Sequence, residues 1–256
     1  MKKIVLATVF AVVSSGVMAR DLTEIKFGVD PTFAPFESKA RDGSLVGFDI
    51  DLGNAICAQL KAKCVWVETS FDSIIPALRA KKFDGIMSAL SINEKRKAQI
   101  DFSDRLYNSP TKLIVKKGSD LDATVESLKG KHVGVTQGTT QEAYMKSAWA
   151  PGGVVIKSYQ TQDLVYQDLM SGRLDATLTD APVADIGFIQ TPKGAGYTFS
   201  KTEVKDEKIL GEGIAIGLRK GDDELETAVN GALKALHENG TYKLLADKYF
   251  SFDIYN

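Results

Sequence analysis

An arginine and an aspartate, Arg96 and Asp180, are the residues of this chain best suited to doing chemistry together. Arg96 follows a short apolar run, Gly85-Ile86-Met87, which stops at Ser88-Ala89-Leu90-Ser91 and passes into the charged turn Asn93-Glu94-Lys95-Arg96. A guanidinium beside hydroxyls and free backbone N–H groups at a strand end suits bidentate capture of a small carboxylate. Asp180 closes a second run, Ala176-Thr177-Leu178-Thr179-Asp180, and offers a carboxylate to an ammonium group. One arginine and one aspartate clamp a zwitterion. The pattern reads as amino-acid binding.

Three other stretches belong around that clamp. Val133-Gly134-Val135-Thr136-Gln137-Gly138-Thr139-Thr140 reads as strand, glycine turn and helix start, and a helix N-terminus suits the same carboxylate as Arg96. An ordinary capped helix would look the same. Asp30-Pro31-Thr32-Phe33-Ala34-Pro35-Phe36 follows the first apolar run and places Asp30 and Phe33 beyond a strand's carboxyl end, where α/β proteins bind ligands. Phe71 follows the second run in the same way. Phe33 and Phe71 either flank a ligand's apolar or cationic stem or belong to the core. Arg96 and Asp180 neutralise each other, so Asp30 leaves one negative charge in excess, costly to bury unpaired. The ligand is then expected to bring a positive side chain: lysine, arginine, ornithine or protonated histidine. If Asp30 caps its own turn instead, that expectation lapses.

The elements that must position these residues alternate. Short apolar strands are expected over 25–29, 65–68, 85–88, 111–116, 133–135, 154–159, 176–179 and 213–218. Helical patterns fall over 49–60, 72–80 with Asp72 as N-cap, 140–147, 161–171, 180–190, 223–239 and 242–249. This is an α/β architecture. The stretch around Asn108-Ser109-Pro110 and a charged, glycine-containing zone over 203–213 break the alternation. Two such crossings divide the chain into one lobe of 20–108 plus 212–256 and a second of 109–211, a hinge pair able to close over a ligand.

Composition bounds the rest. Residues 1–19 carry the marks of a cleaved secretory signal peptide: Lys2 and Lys3, an apolar run over 4–13, and the small-x-small pattern Val17-Met18-Ala19. The run is too short for a stable bilayer span, and no lipidation cysteine follows it, so a soluble exported product is expected rather than an anchored one. Removing 19 of the 256 residues leaves 237, with 30 basic and 33 acidic side chains, a formal charge near −3. That balance argues against a nucleic-acid or anionic-membrane partner. The two cysteines, Cys57 and Cys64, form an even pair in a chain bound for an oxidising compartment and are expected to bridge, stabilising by roughly 2–3 kcal/mol. His132 and His237 are the only histidines, so no metal site or other cofactor is expected.

The chain resembles the periplasmic polar-amino-acid binding proteins of ABC importers (solute-binding protein family 3), specifically the lysine/arginine/ornithine- and histidine-binding group. The resemblance runs from Ile25 to Tyr255. It is most specific in Gly47-Phe48-Asp49-Ile50-Asp51-Leu52, Leu90-Ser91-Ile92 with Arg96, Asp101-Phe102-Ser103, Gly172-Arg173-Leu174-Asp175-Ala176 and Tyr249-Phe250-Ser251-Phe252-Asp253. It implies the two-lobed, type II periplasmic binding protein fold with ligand in the inter-lobe cleft. By family motif, Arg96 holds the α-carboxylate with Ser91 and the Gly138-Thr139-Thr140 region, and Asp180 holds the α-ammonium with the Ser88 neighbourhood assisting. Asp30 faces the side-chain cation and Phe33 and Phe71 flank its stem; Cys57 and Cys64 match the group's disulfide. Phe33, Ala89 and Thr136 depart from the tyrosine, serine and leucine typical there, and all three sit near the ligand. The implied partners are a cationic amino acid and an inner-membrane ABC permease, and the implied setting is the periplasm of a Gram-negative bacterium. A monomer is expected. A sensory ligand module for a receptor is the alternative function. A dehydratase-type enzyme on the same scaffold is disfavoured because no nucleophile–base pair is visible.

Overall fold

Strands and helices alternate around two separate five-stranded sheets in the computed structural model, which describes residues 22–255. The signal-peptide expectation for 1–19 lies outside the described residues. In the first sheet Glu24–Val29 pairs in parallel with Lys63–Glu68 on one side and Gly85–Ile86 on the other. Gly217–Leu218 then runs antiparallel between Gly85–Ile86 and Asp101–Phe102. In the second sheet His132–Thr136 pairs in parallel with Val155–Tyr159 and Ala176–Asp180. Thr111–Lys116 runs antiparallel to Ala176–Asp180, with Tyr197–Phe199 at the edge.

The chain leaves the first sheet after Phe102, enters the second at Thr111, leaves it after Phe199 and returns at Gly217. The two crossings lie side by side: Leu106 N–H donates to the Ile214 carbonyl at 2.7 Å and Ile214 N–H to the Tyr107 carbonyl at 2.9 Å. Each sheet keeps its own apolar core. Phe27, Leu52, Ile56, Ile86 and Leu233 pack in the first, Leu113, Val133, Val135 and Leu178 in the second. Helix Phe48–Gln59 sits close on its sheet because Gly53 leaves room for Trp66, whose ring would lie 2.7 Å from a Cβ there.

Several expected elements shift. Ser70, in extended conformation, is the N-cap of helix Phe71–Arg79; Asp72 lies in its first turn, where its charge still complements the helix dipole. The strand expected over 213–218 shortens to Gly217–Leu218, because Ile214 is taken up by isolated bridges to Ser91 and Tyr107. The helices expected over 140–147 and 180–190 begin as α at Thr140–Tyr144 and Ala181–Ala184, then widen into π turns at Met145–Trp149 and Asp185–Ile189. A three-stranded antiparallel sheet of Thr32–Phe33, Glu37–Lys39 and Leu45–Val46 follows the first strand. Cys57 and Cys64 form a disulfide across seven positions, joining helix Phe48–Gln59 to the next strand.

Candidate functional site

The carboxyl ends of parallel strands from both sheets converge, as expected of ligand sites in α/β folds. From the first sheet come Asp30, Phe71 and Ser88; from the second, the 136–140 turn and Asp180. Eight of the residues singled out in the sequence surround one buried cavity: Phe33, Phe71, Ala89, Ser91, Arg96, Thr139, Thr140 and Asp180. Measured to the centres of water-sized spheres its volume is about 10 Å³, room for roughly one water molecule.

Arg96 is placed by its own helix. Asn93 caps Glu94–Lys97, its side chain accepting from Arg96 N–H at 2.9 Å, and its amide donates to the Ile209 carbonyl in the second crossing at 2.8 Å. The guanidinium, 6% exposed, donates to the Ser91 carbonyl at 2.8 Å and, across the cleft, to the Gly138 carbonyl at 3.2 Å. Its carbon lies 5.4 Å from the centre of the Phe71 ring, and Phe33 meets that ring edge-on at 5.4 Å. Burial pulls the guanidinium down to about 10, against the pull of Asp180. Asp180 ends its strand at 6% exposure and accepts from the Gln141 amide at 3.2 Å. Burial pushes its carboxyl up to about 7, opposed by Ser109, Arg96 and Gln141.

The lobes meet at three further points. The Ser91 and Thr140 hydroxyls stand 3.5 Å apart, and Gln162 N–H reaches the Thr32 hydroxyl at 3.4 Å. Gly138 has φ +78°, and a Cβ there would lie 2.6 Å from the Asp72 Cα, so only glycine fits the turn and the contact together. The cleft is closed.

Four expected site residues stand outside this cavity. Asp30 is buried behind it, one oxygen accepting from the Thr32 hydroxyl at 2.9 Å and the other from Phe71 N–H at 3.0 Å; its carboxyl is pushed up to about 6, mainly by burial. It lines instead an outer cavity of about 590 Å³, with Thr32, Lys39, Glu68, Thr161 and Asp163. Ser88 turns inward, donating to Glu37 at 3.0 Å and accepting from Asp30 N–H at 2.9 Å. Thr136 donates to the Gln162 side chain at 2.9 Å. Gly138 contributes its carbonyl to Arg96. Sequence reasoning missed Gln141, which lines the cavity and ties Thr111 to Asp180; its place directly after Thr140 in the helix's first turn was the available signal.

The family of bacterial extracellular solute-binding proteins, family 3, matches residues 25–252. This chain belongs to that family. It is 50% identical over 258 residues to the histidine-binding periplasmic protein of Escherichia coli (strain K12), covering 100% of this chain and 99% of that protein. It is 51% identical over 231 residues to the lysine/arginine/ornithine-binding periplasmic protein of the same strain, covering 90% of this chain and 89% of that one. Among solved structures, an ancestral arginine-binding protein bound to arginine superposes with a TM-score of 0.83 at 38% identity, covering 90% of this chain and 99% of that one. The fold is the two-lobed type II periplasmic binding fold.

Proposed function

We propose that this family 3 protein is a periplasmic solute-binding protein that captures a cationic L-amino acid by cleft closure and hands it to an inner-membrane ABC permease. The observation that carries the reading is the pairing of charges in two cavities, an inner one and an outer one. The inner cavity opposes Arg96 to Asp180, one cation and one anion for an α-carboxylate and an α-ammonium. The outer one sets three carboxylates, Asp30, Glu68 and Asp163, against a single lysine, Lys39, already paired with Glu68 at 2.6 Å. The excess is negative, so a positive side chain is favoured there. The names of the relatives at 50% and 51% identity, histidine-binding and lysine/arginine/ornithine-binding, agree with that sign.

In this reading the ligand docks on the lobe of 20–108 plus 212–256. Its α-carboxylate meets the remaining N–H groups of Arg96, the Ser91 hydroxyl and the first N–H groups of the helix at Thr140, which have no intrahelical acceptor. Its α-ammonium meets Asp180, and its stem lies between Phe33 and Phe71. Its cationic end reaches Asp30, whose carboxylate has acceptor capacity beyond the two donors it holds. The lobe of 109–211 supplies Asp180, Gln141 and the 138–140 turn on closing. The cavity lining contains no histidine or cysteine, and its one carboxylate is matched to a ligand charge. The names of the relatives at 50% and 51% identity, both binding proteins, support a binding role.

Calorimetric titration of refolded, ligand-free protein against lysine, arginine, ornithine, histidine, glutamine and glutamate tests the reading. Tight binding confined to the cationic members is the expected result. A preference for glutamine or glutamate would overturn the cationic assignment, and heatless titrations across the panel would overturn the function.

A further inference from the structure

Directly beneath the ligand cavity lies a buried acid pair that the binding scheme does not use. Glu37 and Asp49 are both 0% exposed, one on strand Glu37–Lys39 and the other in the first turn of helix Phe48–Gln59. Both oxygens of Asp49 act as acceptors: the Tyr107 hydroxyl donates to one at 2.8 Å and the Ala89 N–H to the other at 3.0 Å. Glu37 accepts from the Ser88 hydroxyl through Oε1, while no N–H or O–H group reaches its Oε2 among the described residues. Adjacent residues nevertheless hold the two carboxyl groups together, Ser88 bonding Glu37 and Ala89 bonding Asp49, and Asp49 is the side chain that acts most strongly on Glu37. Two acceptors can bond only if one of them carries a proton. Asp49 already receives two donors, so the proton belongs on Glu37.

The peptide that Asp49 holds is unusual. Ala89 has φ +44°, a left-handed conformation costly for a residue with a Cβ. The other two non-glycine residues of positive φ among those described, Lys61 and Lys81, follow helix C-termini, whereas Ala89 is buried in the wall of the ligand cavity. The neighbouring hydroxyl, Ser88, bridges Glu37 to the Asp30 N–H. The acid pair therefore touches both the Ala89 peptide of the inner cavity and, through Ser88, the start of the loop that carries Asp30 and Phe33.

We infer that Glu37 is a neutral carboxylic acid donating to Asp49, and that this pair is the positioning element for the left-handed Ala89 peptide in the wall of the binding cavity. The ionisable groups that act on Glu37 are Asp49, Asp30 and the Tyr107 phenol, none of them cationic. Burial first and Asp49 second hold its carboxyl well above the usual range. Asp49 is itself pushed up only to about 6, and so is the ionised member at neutral pH.

The inference rests on the binding reading only for its affinity arm. Infrared spectra of ligand-free wild type and Glu37→Gln at pH 8 are compared, where Asp30, Asp49 and Asp180 are mostly ionised. A protonated-carboxyl C=O stretch in wild type that Glu37→Gln abolishes is expected; its absence from wild type overturns the protonation. Arginine titration of Glu37→Gln and Glu37→Leu then tests positioning. The amide can still donate to Asp49 and accept from Ser88, so its dissociation constant should stay within about threefold of wild type. Leucine removes both bonds and should weaken binding about tenfold or more. Leucine binding as tightly as wild type, or glutamine binding tenfold worse, overturns the positioning role. If wild type binds no cationic amino acid, the proposed function fails and the infrared arm still decides the proton.

Discussion

Replacing Arg96 with methionine separates what this residue does for the ligand from what it costs the fold. Burial pulls the guanidinium well below its ordinary range, to about 10, so keeping the cation there rather than in water costs on the order of 3 kcal/mol. Against that stand two bonds to the Ser91 and Gly138 carbonyls, each worth about 1.5–3 kcal/mol when the donor is charged. Methionine keeps the stacking on Phe71 and fills most of the volume. The opposing terms leave a net change of about 0–3 kcal/mol, a melting shift below roughly 12 °C for a chain of this size. The ligand feels the opposite balance. Its carboxylate would enter a desolvated cavity whose only remaining charge is Asp180, of like sign. Removing one member of a buried charge pair costs about 2–5 kcal/mol, at least about 30-fold in dissociation constant. Thermal unfolding without ligand, paired with calorimetric titration of arginine, reads both quantities. An Arg96→Met protein that binds arginine within threefold of wild type would refute the clamp; one that melts 15 °C lower would refute the desolvation argument.

Three other perturbations follow from the same geometry. Asp180 has its carboxyl raised from 3.8 to about 7, so the folded protein holds a proton that the unfolded chain releases between those values. The stability from that proton is present below about pH 4 and lost as pH rises through 7, a decline shared with Asp30 and Asp49. Asp180→Asn should flatten this decline and raise the ligand-free melting temperature at pH 8 while loosening arginine binding; superimposable melting-versus-pH curves would count against it. A Cys57→Ser/Cys64→Ser double variant should lose about 2–3 kcal/mol, melting roughly 5–10 °C lower with arginine affinity within twofold, since the bridge lies away from the cavity; an unchanged melting point would show that the bridge adds nothing. A Cβ at Gly187 would lie 2.3 Å from the Ala34 carbonyl oxygen across the cleft, so Gly187→Ala should leave more open protein at saturating arginine by small-angle scattering and weaken binding; full closure at normal affinity would contradict that contact.

What could be read from the sequence was set by how local each signal was. Strands 111–116 and 25–29 and the helix at 49–60 were legible because apolar spacing and burial coincide there, and the strand ends then located Arg96 and Asp180. The small sheet at Thr32–Phe33, Glu37–Lys39 and Leu45–Val46 was not, because strands of two or three residues have no periodicity to detect. Asp72 was mistaken for a cap because a carboxylate suits a helix's first turn as well as its cap position. Ser88 and Thr136 point into their own lobes, and nothing in the chain near them names Glu37 or Gln162 as partners 51 and 26 residues away. Side-chain direction at a strand end is decided by such long-range contacts.

Closure itself has an electrostatic logic. In the closed cleft Asp180 is held up to about 7, a cost on the order of 4 kcal/mol for its charged form, and Arg96 faces it while donating to backbone carbonyls. Three weak polar contacts across the cleft, at 3.2, 3.4 and 3.5 Å, oppose that cost. Each is long for its type. An ammonium beside Asp180 and a carboxylate beside Arg96 supply the charges that burial takes from water. A ligand can shift the open–closed balance only by what it gains in the closed form over the open one. Here that gain is the desolvation penalty of two facing charges, relieved at once by a zwitterion. A molecule lacking either charged group leaves one of them unpaired. It should bind the open lobe without closing the cleft.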